Sequence, residues 1–266
     1  MWEFGDGLRF AWVMGGLARQ YGPDYRDEEG GIGSGPGCFA DLMSHWLGVS
    51  EKTGMPCDPR LWTQNPIMST YPACMAVKAA GEQGVDLEYR YLRRLREGLM
   101  AERRKLDSAD ALIAEAGPAG LDVDRFRIDL YSPAITELFA ADLDEVRDVP
   151  SSARDAGQVR TTEGIERVSF SSAVFIGADG EGHGVWGWQP YDAYRRAALA
   201  AGASPVNDAP LDPLAAVERF GRLATREAEV LSGRPRPVVE AELWRLATEW
   251  KLKPVPVLTG TLWEAP

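Results

Sequence analysis

The stretch Met68-Ser-Thr-Tyr-Pro-Ala-Cys-Met-Ala-Val-Lys-Ala-Ala80 marks the point at which the chain turns from loops to helices. The apolar residues beyond it recur at steps of four, three, three and four, which predicts one face of a long helix. These residues are Val85, Tyr89, Leu92, Leu95 and Leu99. Shorter helices are predicted at 108–116, 122–130 and 133–148. Ser108 and Asp122 are suitable N-caps for the first two, so residues 69–155 are predicted to form a helical domain.

Strands are predicted on both sides of this helical domain. Leu8-Arg-Phe-Ala-Trp-Val-Met14 is rich in β-forming residues and ends at two glycines, which predicts a buried strand. Residues 168–176 and 183–188 flank the turn Gly-Ala-Asp-Gly, and this pattern predicts a β-hairpin. A helix is predicted to follow at 191–201. The order of elements predicts an α/β domain into which the helical domain is inserted.

The predicted boundaries divide the chain into three units. Residues 1–68 and 156–203 form the α/β domain, residues 69–155 form the insertion, and residues 211–266 form a C-terminal helical tail. Between the α/β domain and the tail, residues 202–213 have the composition of a linker. Further local predictions are a helix at 39–49, an extended connection at 58–66, and tail helices near 213–221, 225–231 and 237–250.

The composition is typical of a folded protein and excludes some classes of partner. The 266 residues are 45% hydrophobic. The net charge of −11 disfavours binding to the phosphate backbone of nucleic acids and to anionic membrane surfaces. No apolar run approaches the length of a membrane span, and no secretory signal opens the chain, so a cytoplasmic location is expected. The tail, 211–266, has eight basic and eight acidic residues, so DNA binding is not expected even though a β-prone end would suit a winged helix.

Motifs for metals, cofactors and hydrolytic triads are absent or incomplete. Cys38, Cys57 and Cys74 are too far apart for zinc knuckles or a disulfide framework and are expected to be free thiols. No metal and no cofactor is expected. Trp186 and Trp188 alternate on a predicted strand, so they are expected to share one face, either in the core or as the aromatic wall of a cleft.

The stretch 68–80 also resembles a known family. It is similar to the Ser-x-x-Ala-x-x-Ala-Val-x-Ala-Ala run that begins the helical insertion in the DsbA-like branch of the thioredoxin superfamily. Similar segments follow at Tyr91-Leu-Arg-Arg-Leu-Arg-Glu97 and Gly120-Leu-Asp-Val-Asp-Arg-Phe126. The resemblance implies a thioredoxin-like α/β fold and the activity of a thiol-disulfide oxidoreductase or isomerase, acting on protein or small thiol substrates.

The chain departs from the family pattern at the two positions that carry its chemistry. It has no C-x-x-C motif, so no catalytic residue is assigned. Cys74 is a weak single-thiol candidate near the start of a helix, where the helix dipole favours a lowered thiol pKa. Where the family has a cis-proline this chain has Ser171, so a trans bond or an altered loop is expected.

The first βα unit of the family fold is missing from the sequence, so the α/β domain is interpreted as N-terminally truncated. A start site placed too far downstream, or a fragment of a longer reading frame, is the expected reason. Strand edges at 8–14 and 168–176 would then be unpaired, which favours a homo-oligomer. By resemblance, substrate contacts are assigned to Phe170, Ser171 and Met14.

Two alternatives to a redox-inactive member of the oxidoreductase family remain open. One is a relative of the glutathione-dependent isomerases or kappa-type transferases, which use a serine or cysteine in the segment that this sequence lacks. The other is a non-catalytic binding protein. Whether the chain is an enzyme is not decided by its residues.

Overall fold

The long helix predicted from the apolar periodicity is present in the computed structural model, which describes residues 2–26, 32–207 and 209–266. In chain order the helices are α1 (Cys38–Thr53), α2 (Leu61–Gln64), α3 (Tyr71–Gly81), α4 (Val85–Met100), α5 (Ala109–Ala114), α6 (Ala116–Ala119), α7 (Val123–Leu130), α8 (Pro133–Arg147), α9 (Ser151–Asp155), α10 (Tyr191–Ala200), α11 (Pro213–Phe220), α12 (Thr225–Ser232) and α13 (Arg236–Thr248). The strands are β1 (Val159–Thr162), β2 (Ile165–Val168), β3 (Ala173–Ile176), β4 (Gly182–Val185), β5 (Leu223–Ala224), β6 (Lys253–Val257) and β7 (Gly260–Glu264).

Local capping explains where the helices of the insertion begin. The Ser108 side chain accepts a hydrogen bond from the backbone of Ala111, and the Asp122 side chain accepts from Asp124 and Arg125, so both predicted N-caps are confirmed. The extended connection predicted at 58–66 is wrong, because it contains α2.

The strand predicted at 8–14 is wrong. Leu8 has extended backbone angles, but residues 8–14 pair with no strand in the described part of the chain. A β-ladder needs a neighbouring strand. The backbone of this segment is instead hydrogen-bonded to side chains of the insertion. The Met14 N–H donates to Asp142, and Lys78 donates to the Trp12 carbonyl. The segment therefore lies as an extended arm against α3 and α8.

The single strand predicted at 168–176 is divided between two hairpins. Its first residue ends β2, which pairs antiparallel with β1, a strand that the sequence did not predict; its last four form β3, which pairs with β4. The predicted hairpin across the turn at 177–180 is confirmed. Its second strand ends at Val185, and Gly187 has a φ of +66°. Trp186 and Trp188 consequently do not alternate on one strand, and their predicted common face is wrong.

The link between the two hairpins contains a cis peptide bond, Phe170–Ser171, so the expectation of a trans bond is wrong. Hydrogen bonds hold the backbone on both sides of it. The Ser169 N–H donates to the Gln158 carbonyl, while the Ser172 hydroxyl donates to the Ser169 carbonyl at 2.5 Å and accepts from the Gly187 N–H at 2.9 Å.

The C-terminal tail is a mixed α/β unit, so its interpretation as helical is incomplete. The three predicted helices are confirmed as α11, α12 and α13. They pack on an antiparallel sheet with the order β5-β7-β6, and the sequence of elements is that of a winged helix. The tail has its own apolar core, which includes Leu243, Leu246 and Trp263, whereas Trp250 is 86% exposed.

Polar contacts join the tail to the rest of the chain. Arg93 of α4 forms an ion pair with Glu227 of α12, and the Thr259 hydroxyl accepts from the Cys57 N–H at 2.7 Å. Among the described residues, no helix is both long and apolar enough to cross a membrane.

Candidate functional site

An ion pair between buried Asp142 and partly buried Lys78 fixes the extended arm, residues 8–14, to the insertion. Lys78 Nζ lies 3.1 Å from Asp142 Oδ2, and the same carboxylate oxygen accepts from the Met14 N–H at 2.7 Å. Lys78 also donates to the Trp12 carbonyl at 2.9 Å. Asp142 is buried, and its carboxylate holds the arm in place.

The residues assigned as substrate contacts lie in two different environments. The Phe170 ring packs on the backbone of Gly15, where an added Cβ would lie 1.9 Å from Phe170 Cζ. The Met14 side chain is buried in the apolar core of the insertion. Met14 therefore offers no surface to a substrate, which corrects its assignment, because its neighbours are the packed helices. Phe170 and Ser171 are exposed, and their role in substrate binding stays a prediction.

The predicted free thiols are confirmed, and two of the three are buried. Cys38 and Cys57 lie in the interior, and Cys74 is partly buried on α3. Burial raises the pKa of the Cys57 thiol. Burial also raises the pKa of Cys74, to about 11, although the Gly16 backbone offers it a hydrogen bond. The helix N-terminus does not give Cys74 the lowered pKa that its position suggested, because desolvation of the thiolate outweighs the dipole.

Cys74 is expected to react slowly in the native protein at pH 7. With a pKa of about 11, roughly one molecule in ten thousand carries the thiolate. Ellman's reagent should label Cys74 at a rate that rises about tenfold per pH unit between pH 7 and 10, and insulin reduction should stay at background. Denatured protein should show three reactive thiols. A fast phase at pH 7 that a Cys74→Ser variant abolishes would contradict this expectation.

A cavity of about 620 Å³ lies where the N-terminal residues, the end of α1, α4, α10 and the C-terminal tail meet. We call it the junction cavity. Its walls are largely aromatic and include Trp2, Tyr89, Trp188, Tyr191 and Phe220, with the Arg93 guanidinium beside them.

Hydrogen bonds and ion pairs between distant segments build this cavity. Tyr191 Oη donates to Glu3 at 2.5 Å, and Arg195 forms an ion pair with the same carboxylate at 2.6 Å. Trp2 donates its indole N–H to the Ala209 carbonyl and accepts at its own carbonyl from Asn207. These contacts connect the start of the chain to α10 and to the linker, so the walls are fixed by tertiary structure.

Sequence reasoning missed the junction cavity, because its residues come from separate segments and form no motif. Of the residues that line the cavity, Trp188 was considered in the sequence analysis, as part of the aromatic wall of a cleft, and Trp188 does line the cavity. Trp186 takes the alternative role: it packs on the small core of Val146, Ala153 and Val168.

Comparison with known proteins relates most of the chain to one group. A thioredoxin family model matches residues 36–151. The ClpXP adapter protein SpxH of Halalkalibacterium halodurans is 31% identical over 224 residues, which are 84% of this chain and 69% of that protein. SpxH of Shouchella clausii is 30% identical, over 73% of this chain and 60% of that protein. SpxH of Bacillus subtilis is 24% identical, over 84% of this chain and 71% of that protein.

A solved structure, of a candidate protein disulfide isomerase from Nitrosomonas europaea, covers 62% of this chain and 74% of its own, with a TM-score of 0.49 and 18% identity.

Proposed function

Because the chain belongs to the SpxH family, within the DsbA-like branch of the thioredoxin superfamily, we propose that it is a non-catalytic adapter in the cytoplasm. In this proposal it binds a client protein and presents it to a ClpXP-type protease. The observation that carries the proposal is the similarity to proteins named as ClpXP adapters over 84% of the chain. The chain spans 60 to 71% of the length of these relatives, so the activity of the whole protein is part of the proposal.

The chemistry of the described thiols supports an adapter better than an oxidoreductase. Disulfide exchange needs an accessible thiolate and, in this fold, a second thiol close to it. Cys38 and Cys57 are buried, and burial keeps Cys74 protonated at neutral pH. Oxidoreductase activity, implied by the resemblance, is therefore the weaker reading for these residues.

We assign client binding to the junction cavity. Its aromatic walls offer large, rigid apolar surfaces, which are enriched at protein interfaces. The Glu3, Arg93 and Arg195 side chains at the cavity are held by ion pairs, so they would fix the orientation of a bound segment without leaving a buried charge unpaired.

Protein turnover in the host cell tests the adapter function. If the chain is an adapter, deletion of its gene should lengthen the half-lives of specific proteins. Deletion of the gene for the ClpX subunit should lengthen the half-lives of the same proteins, and deletion of both genes should lengthen them no further. Pulse-labelled quantitative mass spectrometry measures these half-lives. The proposal fails if no protein is stabilised in both single deletions.

A Trp188→Ala variant is expected to weaken client binding by roughly 10- to 30-fold, because truncating an aromatic anchor in a pocket costs about 2 kcal/mol. In the deletion strain, Trp188→Ala should leave the client long-lived. Trp250→Ala is the matched control, since this tryptophan is exposed on the tail and lies outside the cavity. Full restoration of turnover by Trp188→Ala would remove the junction cavity as the client site and leave the adapter function standing.

A further inference from the structure

A second concave surface lies on the insertion, on a different set of helices from the junction cavity. It is a cleft of about 470 Å³ between α5–α6 and α7, and we call it the insertion cleft. Val123, Arg127 and Tyr131 are four residues apart and form one wall, while Ile113 and Ala114 of α5 form part of the other. The cleft is large enough to take a bulky side chain with its neighbouring backbone.

Large apolar side chains stand exposed along α7 and its C-terminal end. Ile128 is 73% exposed and Tyr131 is 67% exposed, whereas Phe126 packs fully into the core. The apolar residues of an amphipathic helix are usually buried against its own domain, but these two are not. Ile128 and Tyr131 are therefore available to an external partner.

The second half of the insertion is strongly acidic. Residues 107–148 include eleven acidic and three basic residues, a net charge of −8 within a chain of net charge −11. Asp110 lines the cleft and Asp124 lies on α7, and both are exposed. Neither forms an ion pair with a described residue, whereas Asp129 is paired with Arg125. Arg127 is the basic residue of the cleft wall, and the excess of negative charge lies on the acidic residues of 107–148 around it.

We propose that the insertion cleft docks a basic segment of a partner protein that carries a bulky apolar side chain. The apolar side chain would enter the cleft against Val123 and Tyr131, and flanking lysine or arginine residues would face Asp110 and Asp124. A second copy of this chain is a poor occupant, because two faces of net negative charge repel each other. The proposal concerns a separate surface and does not rest on the adapter function.

A designed peptide tests this surface on the full chain. A fluorescein-labelled helical peptide of about 12 residues is long enough to span α7; it contains lysines around a central Leu-Trp pair. Fluorescence anisotropy should show binding that weakens steeply as salt is raised. A matched peptide with glutamate in place of lysine should not bind.

Variants decide whether the binding is at the cleft. Tyr131→Ala and the double variant Asp110→Asn/Asp124→Asn should each weaken binding about five- to tenfold, the latter only at low salt. Ile176→Ala and Glu181→Gln, which change an exposed apolar and an exposed acidic residue on the β3–β4 hairpin, should leave the affinity unchanged.

Hydrogen exchange should show added protection in α7 when the peptide is bound. Equal effects of the cleft and hairpin variants, binding of the glutamate peptide, or protection outside the insertion would each overturn the proposal.

Discussion

Replacing Asp142 with alanine is expected to lower the free energy of unfolding by about 3 kcal/mol, because it leaves the partly buried Lys78 ammonium without its carboxylate partner. The Asp142 carboxylate accepts from the Met14 N–H and lies 3.1 Å from Lys78 Nζ. Without this carboxylate, the Lys78 ammonium keeps its hydrogen bond to the Trp12 carbonyl. The Met14 N–H loses the acceptor of its hydrogen bond. The midpoint of urea unfolding, followed by tryptophan fluorescence, measures the loss.

Two further variants separate charge from packing. Asp144→Ala, on the same helix but exposed, should change stability by less than about 0.5 kcal/mol. The double variant Lys78→Met/Asp142→Leu removes both charges and should recover much of the stability lost by Asp142→Ala. If Asp142→Ala were as stable as Asp144→Ala, the ion pair would not be what holds the extended arm to the insertion.

Replacing Arg93 with alanine is expected to uncouple the tail from the insertion. Its guanidinium lies 2.7 and 3.0 Å from the two carboxylate oxygens of Glu227, 2.9 Å from Glu97, and donates to the Arg222 carbonyl at 2.6 Å. Truncating one partner of such a partly buried charge pair costs about 2 to 5 kcal/mol. We expect the tail to melt in a separate, earlier transition in calorimetry, with faster proteolysis in the linker at 202–213.

Two further variants on α4 provide the controls. Arg90→Ala removes an exposed arginine from the same helix and should leave a single transition. Arg93→Lys should be intermediate, because a single ammonium cannot reproduce the planar set of contacts made by the guanidinium. One cooperative transition in Arg93→Ala, at the temperature of the wild-type protein, would show that the other tail contacts are sufficient.

The helices of the insertion and the tail were predictable from short stretches of sequence. The face of α4 follows from its apolar spacing, and α5 and α7 begin where Ser108 and Asp122 cap them. Such helices close their hydrogen bonds within a few residues, so neighbouring residues carry the information. β6 was harder to predict because it contains Pro254 and Pro256; an edge strand tolerates prolines, and β6 lies at the edge of its sheet.

The arm, the strands and the candidate sites depended on partners far away in the chain. Residues 8–14 have the composition of a strand, yet an aspartate 128 positions from Met14 takes up its N–H. Trp188 enters the junction cavity because Gly187 turns the chain after β4, and the opposite walls come from the N-terminal residues, α4 and the tail. Local sequence fixes which segments are helical, because their hydrogen bonds are internal. The burial of Asp142, the protonated state of Cys74 and the shape of both concave surfaces arise only on packing, since desolvation and contact depend on which segments meet.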